Sequence, residues 1–404
     1  IGVRLVGSEM CIRDRLQTML DRFKEKRLLQ QRGKQRTDST HILAAVRCLN
    51  QLELVHETLR QALNELAVQA PAWLKRQVNA DWFDHYSQRT GNYLLPKKEA
   101  ERQAWAERVG RDGMFLLEQI CFEGQHPELR GIPAVEILRQ VWLQNFYQAN
   151  GQVCLRQQKD QPPSAQRIAS PYELEARCSS KRNTTWTGYK VHLTETCEAD
   201  SPNLIINVET RTSTEPDHTV IGFIHDHLAL KDCLPAEHFV DQGYTSVDHL
   251  VHAREDHGIE MMGAIPDDNS WQAHRQGYDS RHFTIDWDNE MAICPQNHAS
   301  CSWSLARTRS ERPVVKIKFR RKDCAACPQI DLCSNNKEKR RTLTILAPQA
   351  HFEAQQEARQ RQQTTEYKEA CQLRAGVEGT ISVSYTHLRA HETDSYLVCR
   401  LLLE

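Results

Sequence analysis

The sequence predicts an α/β protein, and three observations point to it. Apolar residues recur every third or fourth position through the first third of the chain. A later stretch is rich in β-favouring residues between turn signals, and after it short strands alternate with helices. Val46, Leu49, Leu52, Val55, Leu59, Leu63 and Leu66 share one helical face and read as core packing, with Pro71 closing the run. Residues 100–122 and 133–150 repeat that spacing, so 41–165 read as a helical block. Beyond the segment QPPSAQ the period changes. TTWTGYKVHLTET and NLIINVETRTST read as adjacent antiparallel strands joined through CEADSP. In PDHTVIGFIHDHLALKD, Val220, Ile224 and Leu228 mark a helix entered through Pro216 and Asp217. Within residues 237–258 a short apolar strand ends at Asp241, Gly243 permits a turn, and Ser246 caps a helix that stops at Gly258. GIEMMGAIP supplies one more strand.

With 404 residues, 39% hydrophobic and 26% charged, the chain has material for two or three compact units and is neither disordered nor collagen-like. No run approaches the roughly 18 to 20 apolar residues that span a bilayer, and the start lacks the pattern of a secretory signal, so a cytoplasmic, nucleoid-associated location is expected, with no membrane partner. The net charge of −1 conceals segregation: Arg307 to Arg341 carries +8 and Leu16 to Arg36 carries +5, leaving about −14 elsewhere. Basic segments of this kind suit a phosphate-binding surface as well as a solvated face. Residues 1–15 and 382–404 resemble translated adapter sequence and are set apart from the fold reading, which makes the chain a truncated fragment by expectation.

Asp38, between Thr37, Ser39 and Thr40, admits two readings. It is a helix cap for the apolar run that follows, or a catalytic carboxylate. Asp241 stands at the carboxyl end of a strand, where open α/β sheets place ligands, although an Asx turn before Gly243 would also account for it.

Four ordered segments, RTDSTHILAAV, WTGYKVHLTET, FVDQGY and LRAGVEGT, resemble the successive signatures of insertion-sequence transposases of the DDE type, over residues 16–382. The order of strand, hairpin, helix, strand and helix is similar to an RNase H-like core. The resemblance implies an RNase H-like mixed sheet with a large helical insertion after the first strand and a small Cys-rich insertion. Its parts are a lead helix and first catalytic strand (16–40), the helical insertion (41–165), the core (166–290), a basic Cys-rich insertion (291–345) and the start of the catalytic Glu helix (346–381). It assigns Asp38, Asp241 and Glu378 as ligands of Mg²⁺ or Mn²⁺. Two such ions about 3.5 to 4 Å apart stabilise the attacking and leaving oxygens of a phosphodiester, and hard carboxylate oxygens suit them. Arg374, one helical turn before Glu378, can face the same phosphate. Cys371 stands where the family carries Tyr, a local departure, and Glu366 and Glu369 on the same stretch read as a solvated face.

Of 14 cysteines, Cys294, Cys301, Cys324, Cys327 and Cys333 cluster. Cys294, Cys324, Cys327 and Cys333 form a candidate structural Zn²⁺ site, with Cys301 spare; free thiols are the other reading. Arg320, Arg321 and Lys322 beside it, and Lys190 on its strand, are candidate DNA contacts. His225, Asp226 and His227 point in different directions on a helix and are expected at the surface. The partners implied are double-stranded DNA, both terminal inverted repeats and target, and a second copy of the chain in a dimer or larger synaptic complex. The expected activity is metal-dependent end cleavage and strand transfer. The alternatives are a domesticated, non-catalytic zinc-dependent DNA-binding protein and an RNase H-like nuclease without strand transfer.

Overall fold

The computed structural model describes the backbone of residues 2–44, 49–89, 95–122, 127–181 and 184–401. Val46 lies outside the described residues, as do the side chains of 1–13 and 384–404 in the two segments set apart above. In chain order the elements are α1 (Gly2–Glu25), β1 (Lys34–Leu43), α2 (Gln51–Gln69), α3 (Pro71–Gln77), α4 (Asp81–Tyr86), α5 (Glu99–Phe122), α6 (Pro127–Arg130) and α7 (Pro133–Asn145). The strands β2 (Phe146–Ala149), β3 (Gln152–Leu155), β4 (Arg177–Lys181), β5 (Thr184–Thr196) and β6 (Ile205–Thr212) follow. Next come α8 (Ile221–Leu230), β7 (Glu237–Val240), α9 (Val247–His257), β8 (Glu260–Met262), α10 (Trp271–His274), β9 (Thr284–Asp286), β10 (Met291–Ile293), β11 (Ser300–Arg307) and β12 (Pro313–Phe319). The chain closes with α11 (Arg321–Ala326), α12 (Ile330–Cys333), β13 (Thr342–Leu346), α13 (Gln349–Arg361) and α14 (Thr365–Leu401).

The fold is mixed α/β, as the sequence predicts. Its largest sheet has the strand order β4-β5-β1-β7-β8, with β6 also paired to β5. The pairs β1–β7 and β7–β8 are parallel and β4–β5 is antiparallel. The chain divides into two compact units, residues 1–39, 192–209 and 216–404 in one and 40–191 with 210–215 in the other, so the division passes along β1, β5 and β6.

The second unit is built on α2, α5 and α7. Helix α2 begins with a reciprocal capping box: the Asn50 side chain accepts from Glu53 N at 3.0 Å, and Glu53 Oε2 accepts from Asn50 N at 2.9 Å. Leu52, Val55, Leu59 and Leu66 are buried, and Leu49 and Leu63 pack against the same core with Leu116, Leu138 and Trp142. Pro71 closes the apolar run and also opens α3 from its first position. The expectation of helix throughout 41–165 needs correction, because β1 continues to Leu43 and β2–β3 form a hairpin. Asn150 and Gly151 both adopt positive φ, the turn that Asn-Gly favours, and Phe146 and Val153 send their side chains into the helical core. Gly188 in β5 has φ of 153°, and a Cβ there would collide with the Ile42 carbonyl, so only glycine lets the strands approach at this point.

The first unit has two cores. In one, Ile206, Ile224, Leu228, Tyr244 and Val251 meet Leu20 of α1 and Ala354 and Ala358 of α13. Ser246 caps α9 by accepting from His249 N, and Gly258 ends it at φ of 62°. The other core lies on the three-stranded sheet β11-β12-β13. There Phe283, Val315, Ile317, Phe319, Leu343 and Ile345 are buried, while Lys316 and Lys318 alternate outward on β12. No helix among the described residues is long and apolar enough to cross a membrane.

Candidate active site

Asp38 sits inside β1, so the helix-cap reading is excluded; the cap of the next helix is Asn50. The parallel register pairs Thr37 with Val240, and the next residues are Asp38, still within β1, and Asp241, which directly follows β7. The register thus brings the two carboxylates close together. Asp38 Oδ1 accepts from Ser39 N at 2.7 Å, and Asp241 Oδ1 accepts from Gln242 N at 2.8 Å, where it caps a single helical turn. The Asx geometry foreseen at Asp241 is therefore present, and it leaves the other carboxylate oxygen open to a ligand.

Helix α14 delivers the third carboxylate. Arg374 Nη1 lies 3.2 Å from Asp38 Oδ2, and its Nη2 lies 3.4 Å from Glu378 Oε1, so one guanidinium joins the two acids. Burial pushes the Asp38 carboxyl above its ordinary value; the Ser39 N–H and Arg374 pull it down, and the charges of Asp241 and Glu378 push it up again. Asp38 thus feels both other carboxylates. Asp241 and Glu378 themselves are exposed.

Beneath these acids runs a buried polar chain that sequence reasoning passed over. Thr37 Oγ1 is 2.7 Å from both Thr194 Oγ1 and His238 Nε2, and His238 Nδ1 is 2.9 Å from His225 Nε2. Burial lowers His225 to about 2 and His238 to about 3, so both rings are neutral at neutral pH. His225 is therefore a core residue and not the surface residue expected; Asp226 is exposed and His227 pairs with Glu209 at 2.8 Å. Tyr244 bonds His192 Nδ1 at 2.6 Å, and Ser39 Oγ stands 3.4 Å from Asp217 Oδ1. The available signal for Asp217 was its place at the entry of α8, which reads equally well as a helix start.

Cys294, Cys324, Cys327 and Cys333 all line one small cavity of about 30 Å³, together with Phe319 and Arg341. His298 N donates to Cys294 Sγ at 3.4 Å. Burial raises the thiol of Cys324, and raises that of Cys333 to about 11; the other cysteines of the group add to both shifts. Cys301 is exposed on β11, its Sγ 3.4 Å from the Lys318 carbonyl, and takes no part in the cavity lining. Among the described residues, no group of three or more His, Cys, Asp or Glu side chains stands ready to hold a metal ion. Arg320, Arg321 and Lys322 are exposed, whereas half-buried Lys190 donates to the Glu215 carbonyl at 2.8 Å. Glu366 and Glu369 are exposed, as the solvated-face reading has it, and Tyr367 between them is buried.

Residues 293–395 match the family described as the transposase DDE domain. That segment is similar to a transposase DDE domain. No curated protein and no solved structure matches the chain. The DDE domain match covers about a quarter of the chain and contains the four cavity cysteines, Arg374 and Glu378, while Asp38 and Asp241 stand before it. The resemblance to DDE transposases of the insertion-sequence type is thereby borne out, and the family implies a DNA substrate.

Proposed function

We propose that the chain is a DDE transposase with an RNase H-like catalytic core, which cleaves transposon ends and joins them to target DNA as a dimer or larger synaptic assembly in the cytoplasm. The observation that carries this reading is the convergence of Asp38, Asp241 and Glu378, from β1, the end of β7 and α14, with Arg374 between the first and last. The run β6-β5-β1-β7-β8, with the first Asp on the central strand, supports the RNase H-like fold. On this reading 41–165 is an insertion in the core and 291–345 a second, basic one.

Asp38 feels the charges of Asp241 and Glu378, and three carboxylates are the hard-oxygen donor type that suits Mg²⁺ or Mn²⁺. Such ions, when bound, lower the pKa of an attacking water and neutralise charge on a phosphodiester's oxygens. The residues themselves have separable tasks. Asp38 and Asp241 are fixed by their own backbone N–H contacts, so they are oriented before any ligand arrives. Arg374 offers two N–H donors suited to a phosphate's two oxygens. Lys316, Lys318, Arg320, Arg321 and Lys322 supply positive charge beside the cavity that four cysteines line, and thiol sulfur is the donor type that suits Zn²⁺.

The test is Mn²⁺-dependent nicking of supercoiled DNA by the purified chain. Asp38→Asn, Asp241→Asn and Glu378→Gln are each expected to abolish nicking and to leave DNA binding by mobility shift intact. Retained nicking in any of them overturns the assignment. Binding without nicking in the wild-type chain favours the non-catalytic DNA-binding reading, and nicking without joining favours a nuclease.

A further inference from the structure

We propose that Arg36, Glu195 and Thr380 form a buried clamp that positions the Glu378 helix against the catalytic strand; the inference rests on the three-carboxylate reading above. Arg36 is two residues before Asp38 on β1, so both side chains project from the same face of the sheet. Its Nε and Nη2 each lie 2.7 Å from Glu195 Oε1, and the side chains are 7% and 1% exposed. A pair this deep needs all its polar atoms satisfied, and the remaining ones reach α14. Arg36 Nη1 donates to the Leu373 carbonyl at 2.6 Å, and Thr380 Oγ1 donates to Glu195 Oε2 at 2.7 Å.

These anchors bracket two helical turns, 373 to 380, which contain both Arg374 and Glu378. Between them lies Gly376, where a Cβ would run into the Arg36 guanidinium. That guanidinium is the far end of a long side chain, but Glu195 and the Leu373 carbonyl hold it, so it cannot yield without breaking the clamp. Leu373, Gly376, Val377 and Thr380 thus form the face toward the sheet, with Val377 fully buried. Arg374 and Glu378, one turn apart, lie on the adjoining face toward Asp38. Arg36, Glu195 and Thr380 are positioning residues: they set the depth and rotation of the helix that carries the third carboxylate.

The experiment uses the full chain and compares wild type with Thr380→Val, Gly376→Ala and the double variant Arg36→Met with Glu195→Met. The double variant replaces the ion pair by apolar groups of similar length and so preserves the fold. Arg254→Met, at an exposed ion pair, is the control. Amide hydrogen exchange is expected to accelerate about tenfold or more across residues 365–383 in the three clamp variants, with β1 and β7 unchanged. Mn²⁺ affinity, followed by electron paramagnetic resonance, is expected to fall about 10- to 100-fold, the usual effect of losing an outer-shell support. Unchanged exchange over 365–383, or an equal loss across the whole unit, overturns the clamp. Mn²⁺ binding that is insensitive to Asp38, Asp241 and Glu378 in the wild-type chain would count against the proposed function, while the exchange result would still decide the clamp.

Discussion

Arg374 holds Asp38 across 336 residues of sequence, its Nη1 standing 3.2 Å from Asp38 Oδ2. The same guanidinium reaches Glu378, so a cation already occupies the space between two of the three acids. A metal ion held by these acids would compete with Arg374 and would free its guanidinium for a phosphate oxygen. Arg374→Ala is therefore expected to tighten Mn²⁺ binding to the DNA-free chain several-fold, an effect of the size of a partly exposed ion pair. The same substitution should weaken DNA binding and reduce its salt slope by about one. Titration by calorimetry and by filter binding at several salt concentrations checks both, and weaker Mn²⁺ binding would show that the arginine supports the site.

The cysteine cavity predicts its own metal content. The purified chain should carry about one equivalent of zinc. Cys324→Ser combined with Cys327→Ser should abolish it and lower the melting temperature, and a chelator should lower the wild-type melting temperature to a similar extent. Cys301→Ser should change neither, since its thiol lies outside the cavity lining. A metal-free chain with unaltered melting would leave the four as ordinary thiols.

The paired histidines under the sheet predict acid sensitivity. Both His225 and His238 titrate in the fold at about 2 and 3, below the ordinary 6.5, because burial disfavours their charged forms. Between these values the unfolded chain binds more protons than the folded one. The stability these rings contribute is therefore complete above about pH 6.5 and declines as pH falls toward about 3, by up to ~1.4 kcal/mol per pH unit for each ring. Melting temperature measured from pH 7 to pH 4 should fall less steeply in His225→Gln with His238→Gln than in the wild type, whatever the offset at pH 7. Parallel curves would mean that other groups dominate the acid response.

In the helical unit, Gly113 on α5 faces Trp142, and a Cβ there would strike the indole ring. Gly113→Ala gains roughly 1 kcal/mol of helix propensity but overpacks a core in which Trp142 is buried and held through Nε1 to the Gly110 carbonyl at 2.9 Å. A net destabilisation of about 1 kcal/mol is expected from a typical overpacking cost of 1–3 kcal/mol. Denaturant unfolding measures it, and a stabilised variant would show that the ring can retreat.

Much of the fold was legible because the relevant signals are local. The apolar stripe of α2, the Ser246 cap and the Gly258 stop each depend on residues within one or two turns, and the structure has them from Leu49 onward as read, while Pro216 and Asp217 open a short 3-10 turn and α8 begins only at Ile221. The β2–β3 hairpin was equally local in its Asn-Gly turn, but the surrounding helical period masked it. β4 carried no such period: Arg177, Ser179, Ser180 and Lys181 are polar, and the segment becomes a strand because β5 offers an unpaired edge.

The sequence by itself determined the α/β class, the basic cysteine-rich segment and the three acids worth testing, because residue types, spacing and a family resemblance are properties of the chain read in one dimension. Only the tertiary structure decided that Asp38 is a strand carboxylate and not a cap, that His225 is buried, and that Arg36, Glu195 and Thr380 meet. Those outcomes depend on pairings between residues about 13 to 340 positions apart, which follow from the register of parallel strands and the packing of α14 on β7, not from any local preference.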